Sequence, residues 1–168
     1  MLLEESPDGL WGYRRGQTDF GEIHLVSFFG LGRMMSQLLL INHSADRKDS
    51  TGRTPLSHAT TQGHSEVVQL LLTWDDIDVN SKDEDSNSSL FYAANRGHLE
   101  VTKLLLAWDD IEVNSKGGCS CSLLWYAAKK GDLEATKLLL ARDNIEVNSK
   151  DDKCGRSPLS GVAKYGHF

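Results

Sequence analysis

Apolar residues in this chain fall in short offset runs separated by polar stretches, and the runs recur. The order Gln69-Leu70-Leu71-Leu72-Thr73-Trp74-Asp75-Asp76-Ile77-Asp78-Val79-Asn80-Ser81-Lys82 returns as Lys103-Leu104-Leu105-Leu106-Ala107-Trp108-Asp109-Asp110-Ile111-Glu112-Val113-Asn114-Ser115-Lys116. It returns again, after a step of the same length, as Lys137-Leu138-Leu139-Leu140-Ala141-Arg142-Asp143-Asn144-Ile145-Glu146-Val147-Asn148-Ser149-Lys150. Gly63, Gly97, Gly131 and Gly166 keep nearly the same spacing, and Gly30 stands almost one such step before Gly63. A fixed period of roughly 34 residues points to small units that bury their apolar faces only by stacking.

Within one period the pattern predicts a helix, a turn, a second helix and an extended loop. Thr54 is placed to cap a first helix, and Pro55 suits its first position, where a missing N–H costs nothing. Ala59 keeps that helix narrow for close packing. Gly63 ends it, since glycine enters the left-handed conformation cheaply. A second helix is expected from Ser65 to about Thr73, with Val67, Leu70 and Leu71 on one face at i, i+3 and i+4. The Asp-rich loop after it ends in Val79-Asn80-Ser81-Lys82-Asp83.

The run from Asp49 through Thr54-Pro55-Leu56, Gly63-His64 and Glu66-Val67-Val68 to Leu70-Leu71-Leu72 resembles the ankyrin repeat. Ser88 to Leu106, Ser122 to Leu140 and Ser157 to His167 follow in phase, and Glu22 to Gly30 is similar to a weaker first copy. The resemblance covers about residues 16–168 and implies an all-α solenoid of stacked helix-turn-helix units with finger loops. The expected division is a segment 1–15 without a match, a degenerate unit 16–48, units 49–82, 83–116 and 117–150, and a truncated unit 151–168. The chain departs from the pattern in places. Ser89 and Leu123 replace Pro55, Ser86 and Ser120 replace the finger glycines Gly52 and Gly155, and Asp132 stands where His64 and His98 stand. At the last full unit, Leu138 and Leu139 are expected to face a neighbour with one helix only.

Charge and composition narrow the function. A net charge of −6 lacks the basic footprint of a nucleic-acid-binding face. No apolar run reaches the roughly 18 residues needed to span a bilayer. The acidic opening Met1-Leu2-Leu3-Glu4-Glu5-Ser6-Pro7 does not read as a signal peptide. With an odd number of cysteines and no such signal, an intracellular location is expected, cytoplasmic, nuclear or both.

Candidate chemistry is sparse, and neither a catalytic residue nor a cofactor or metal site is expected. Cys119 and Cys154 share one position in adjacent units, but stacked elements roughly 8–10 Å apart do not suit a disulfide, whose Cα atoms lie within about 7 Å. Cys119-x-Cys121 with one distant Cys lacks zinc-ligand spacing. His64, His98 and His167 recur after the turn glycines; the resemblance makes that histidine structural, bonding across to the neighbouring unit. No triad accompanies them. The pairs Asp75-Asp76 and Asp109-Asp110 lack calcium-loop spacing and read as solvated loops. Trp74 and Trp108, followed by Arg142, share one position and admit two readings: packing at the end of the second helix, or an aromatic binding edge. Phe91-Tyr92 and Trp125-Tyr126 likewise either fill space between units or face a partner.

The resemblance implies binding of another protein, as adaptor, scaffold or regulator, through the concave face and the fingers. The positions before the turn glycines turn basic along the chain, with Arg96, Lys129 and Lys130. They are expected to steer an acidic partner segment, with Tyr92 and Tyr126 as aromatic anchors. The finger residues Arg53, Glu84, Asp85, Asn87 and Arg156 are expected to border the same groove, away from the Asp-rich loops. Two other readings stand beside this one: a transcription coregulator acting through a DNA-binding partner, and a fragment of a longer array.

Overall fold

In the computed structural model, residues 20–41, 45–118 and 120–150 are described, with the single positions 155, 157, 158, 160 and 163. The described residues form eight helices: α1 (Glu22–Phe29), α2 (Gly32–Ile41), α3 (Pro55–Gln62), α4 (Ser65–Leu72), α5 (Ser89–Arg96), α6 (Leu99–Leu106), α7 (Leu123–Lys130) and α8 (Leu133–Leu140). Each spans only two to three turns. Helices this short are marginal alone in water, so packing must hold them.

Their starts are set locally. Thr54, Ser88 and Ser122 each accept a hydrogen bond from the amide three residues on, those of Ser57, Phe91 and Trp125, at 3.2 Å. The α3–α4 turn is made by Gly63 at φ +78°, whose own amide closes the last turn of α3. Such a φ strains any residue with a Cβ.

The eight helices stack in two layers. In one, α1 packs on α3, α3 on α5 and α5 on α7; in the other, α2 packs on α4, α4 on α6 and α6 on α8. Between the layers runs a core in which equivalent residues succeed one another. Leu56, Leu90 and Leu124 come from the first helices, and Leu71, Leu105 and Leu139 from the second. The fingers are hairpins pinned by isolated bridges, Lys82 with Ser88 and Lys116 with Ser122. At their tips Ser86 (φ 63°) and Ser120 (φ 61°) keep the left-handed conformation of Gly52 (φ 76°) despite the substitution.

Polar ladders lock each pair to the next. His64 donates through Nε2 to the Phe28 carbonyl (3.0 Å), and His98 donates likewise to Thr61 (3.1 Å). In the following unit Asp132 instead caps its own helix, accepting from the Ala135 amide at 2.9 Å. Asn80 donates to the Asp110 carbonyl and accepts from the Glu112 amide, both at 2.8 Å. Asn114 repeats this with Asn144 (2.6 Å) and Glu146 (2.8 Å).

One expectation about packing needs correcting. Leu139 is fully buried and Leu138 half-buried; the large apolar side chains left exposed in the last full unit are Leu133, Leu140 and Val147. Leu139 ends the core series of Leu71 and Leu105, on a helix packed against both α6 and α7.

Candidate partner-binding surface

The fingers are organised by two aspartates at one repeat position. Asp49 accepts through Oδ1 from the Thr51 amide (2.8 Å), the Thr51 hydroxyl (2.7 Å) and the Arg53 amide (3.0 Å). Its Oδ2 accepts from His58 Nε2 at 2.8 Å. Asp83 accepts through Oδ1 from the amides of Asp85 (3.0 Å) and Asn87 (2.9 Å), and through Oδ2 from the Tyr92 hydroxyl. One carboxylate therefore closes each finger turn and ties it to the first helix of its own unit. Burial alone would push the Asp49 carboxyl up, but the bonds from His58, Thr51 and Arg53 outweigh it and hold the group at about 2. For Tyr92, burial and the bond to Asp83 push the phenol above its ordinary range.

This network takes up several residues expected to meet a partner. Arg53 reaches the next finger, donating to Tyr92 Oη at 2.5 Å and to Asp83 at 3.4 Å, with its guanidinium 4.6 Å from the centre of the Tyr92 ring. Asn87 accepts from the Gly118 amide at 3.1 Å, which ties one finger to the next. Tyr92 is 6% exposed, so the expectation of an aromatic anchor is corrected there. It fills the space between units, because its hydroxyl finds a carboxylate only by turning inward. Tyr126 is half-buried, edge-on to Phe91 (4.9 Å) and Trp125 (5.2 Å). The Asp83–Tyr92 and Asp49–His58 pairs escaped sequence reasoning, although both join residues nine apart and recur one repeat apart.

Other candidates lie at the surface. Glu84 and Asp85 are exposed at the finger tip. Arg96 and Lys130 are exposed at the last turns of α5 and α7, and Lys129 lies half-buried with its ammonium 5.0 Å from the centre of the Trp125 ring. A cation there also suits the partial negative charge of a helix C-terminus. The exposed Asp75, Asp76, Asp109, Asp110 and Asp143 follow the C-termini of α4, α6 and α8. Each second helix spans about 12 Å, so the acidic loops and the basic turn ends sit at opposite ends of it. Arg156, Cys119, Cys154 and His167 lie outside the described residues. Cys121 is buried.

At the tryptophan position the contacts favour packing. Trp74 is half-buried against the core. Arg142 donates to the carbonyls of Leu106 (3.1 Å), Trp108 (3.2 Å) and Asp109 (3.3 Å), capping the helix of the preceding unit. Trp108 keeps 37% of its surface exposed. Among the described residues, no helix is long and apolar enough to cross a membrane.

Comparison with known proteins adds the family. The model for ankyrin repeats (three copies) matches residues 23–117 and 90–168. Human Rabankyrin-5 is 34% identical over 67 residues, which is 40% of this chain and 6% of that protein. The chain thus spans a small part of the relative it matches.

Proposed function

The chain belongs to the ankyrin-repeat family, whose arrays are protein–protein interaction modules and typically non-catalytic, and on that premise we propose that it is an adaptor, scaffold or regulator that recognises an acidic segment of a partner protein. The observation that carries this reading is the separation of charge. Arg96, Lys129 and Lys130 gather where the first helices end, while the acidic loops lie at the far ends of the second helices. In this reading Tyr126, one helical turn before Lys129 and Lys130, flanks the basic cluster, and the exposed finger residues Glu84 and Asp85 border the same groove. The unit division 16–48, 49–82, 83–116 and 117–150 belongs to the same reading, as does an intracellular partner, cytoplasmic or nuclear. A net charge of −6 favours a protein over a nucleic acid.

Exposed charges of this kind act mainly on association rate and fade with salt. The test is the double variant Lys129→Glu/Lys130→Glu, measured against a partner captured by the array and identified by mass spectrometry. Association slows at low salt, the difference shrinks at high salt, and folding stability is unchanged. An unchanged rate at low salt overturns the basic-surface reading and moves the search to Trp108.

A further inference from the structure

The asparagine ladder has a rung of different chemistry. Asp46 lies one repeat before Asn80 and so holds the repeat position of Asn80 and Asn114. Each asparagine bridges to the next loop with both halves of its amide. The NH₂ donates to the carbonyl 30 residues on, and the oxygen accepts from the amide 32 residues on. Counted the same way, the counterparts for Asp46 are the Asp76 carbonyl and the Asp78 amide, and the Asp78 backbone does bond to its carboxylate. A carboxylate accepts hydrogen bonds only, so it has nothing to offer the Asp76 carbonyl. Correspondingly, Asp46 Oδ1 is buried and has no hydrogen-bond partner among the described residues.

We propose that Asp46 is a protonation-dependent clasp between the first two helix pairs: the neutral acid donates to the Asp76 carbonyl as Asn80 donates to Asp110, and the ionised acid leaves that bridge unmade. The surroundings agree. Burial raises the group most, the Asp78 amide favours the ionised form, the charges of Asp78 and Asp76 oppose it, and Lys48 on its own segment offsets them slightly, leaving it at about 6. The Lys48 ammonium is itself engaged with the Lys82 carbonyl at 2.8 Å. The sign follows from linkage. Between 3.8, the ordinary value, and about 6, the folded chain holds more protons at Asp46 than the unfolded chain. Stability from this junction is therefore complete below that range, falls as pH rises through it, and stays low above it. The downstream asparagine rungs carry no such dependence.

Chemical denaturation of the full chain at pH 4.5 and pH 7.5 tests this with Asp46→Asn and Asp46→Ala. The folding constant of Asp46→Asn relative to the parent rises about tenfold between the two pH values, equivalent to ~1.4 kcal/mol. Asp46→Asn exceeds Asp46→Ala by the same factor at both. The parent lies near Asp46→Asn at pH 4.5 and moves toward Asp46→Ala at pH 7.5. A parent that tracks Asp46→Ala at pH 4.5 would show burial without donation and overturn the clasp, as would a ratio that does not change with pH. Carbon-13 NMR titration of the Asp46 carboxyl in the unaltered chain is independent of how the variants fold. A midpoint near 6 supports the clasp, and one near 4 overturns it.

Discussion

Residues 83–116 and 117–150 are close to the same sequence read twice, yet their outer surfaces differ. Leu106 is 7% exposed and Leu140 50%; Val113 is 1% exposed and Val147 44%. The residues have the same type and sit on equivalent elements. What differs is the neighbour, since α6 is covered by α8 and no second helix succeeds α8 among the described residues. Leu105 and Leu139, by contrast, are both fully buried, although a described second helix lies beyond α6 and none beyond α8. In a stacked architecture, then, one part of each unit's burial is intrinsic and another part is conferred by the next unit. Polar contacts obey the same rule. Gly63 lies under the His98 ring of the next unit, whereas nothing stands over Gly97, whose counterpart neighbour is Asp132.

The leucines carry the largest expected difference. Leu106→Ala is expected to destabilise the chain by about 3 kcal/mol, the cost of a buried cavity. Leu140→Ala, with half of its surface already in water, is expected to cost less than about 1 kcal/mol. Urea denaturation of the two variants gives both values, and equal losses would mean that α8 is covered as fully as α6.

The turn glycines come next. An added Cβ at Gly97 (φ +77°) meets nothing within 4 Å, so Gly97→Ala carries backbone strain alone, about 1 kcal/mol. At Gly63 (φ +78°) the same Cβ would lie 2.5 Å from His98 Nδ1. Gly63→Ala therefore adds displacement of that ring and of its bond to Thr61, and should cost about 2 kcal/mol. Adding His98→Ala to both variants tests the cause. It should bring the cost of Gly63→Ala down to that of Gly97→Ala.

The smallest effect separates the fingers. Asp49 closes the first described finger, while Gly117 holds that repeat position in the unit 117–150. Asp49→Asn is expected to cost about 1 kcal/mol at neutral pH through weakened finger bonds. Because the carboxyl is held at about 2 against an ordinary 3.8, its contribution is present above 3.8 and is lost as pH falls through about 2. The gap between parent and variant should accordingly narrow between pH 4 and pH 2. A constant gap would leave Asp49 as a shape element and not a charged one.

Much of the fold was legible in one dimension because its determinants are local. Capping by Thr54, Ser88 and Ser122 involves residues three apart, and the glycine turns depend on a single φ. The candidate surface was legible only in part. The placement of Arg96 and Lys130 followed from their position beside a turn glycine, where a helix end meets water. The inward turn of Tyr92 did not, since it depends on Asp83 nine residues earlier and on Arg53 reaching across from the preceding finger. Sequence reasoning also had Leu139 facing the next unit, because an i, i+3, i+4 stripe marks a buried face without saying which neighbour buries it.

By itself, then, the sequence determined the period, the helix and turn positions, and the stacking of like units, all of which follow from short-range sterics and the spacing of apolar residues. Only the tertiary structure decided which leucines stay dry, which tyrosine is withheld from the surface, and that Asp46 Oδ1 is buried without a hydrogen-bond partner among the described residues. Those outcomes depend on atoms brought in by other elements, from a neighbouring unit for the leucines, and for Tyr92 from Asp83 of its own finger and Arg53 of the preceding one. There desolvation and hydrogen bonding are set by the partner that arrives and not by the residue alone.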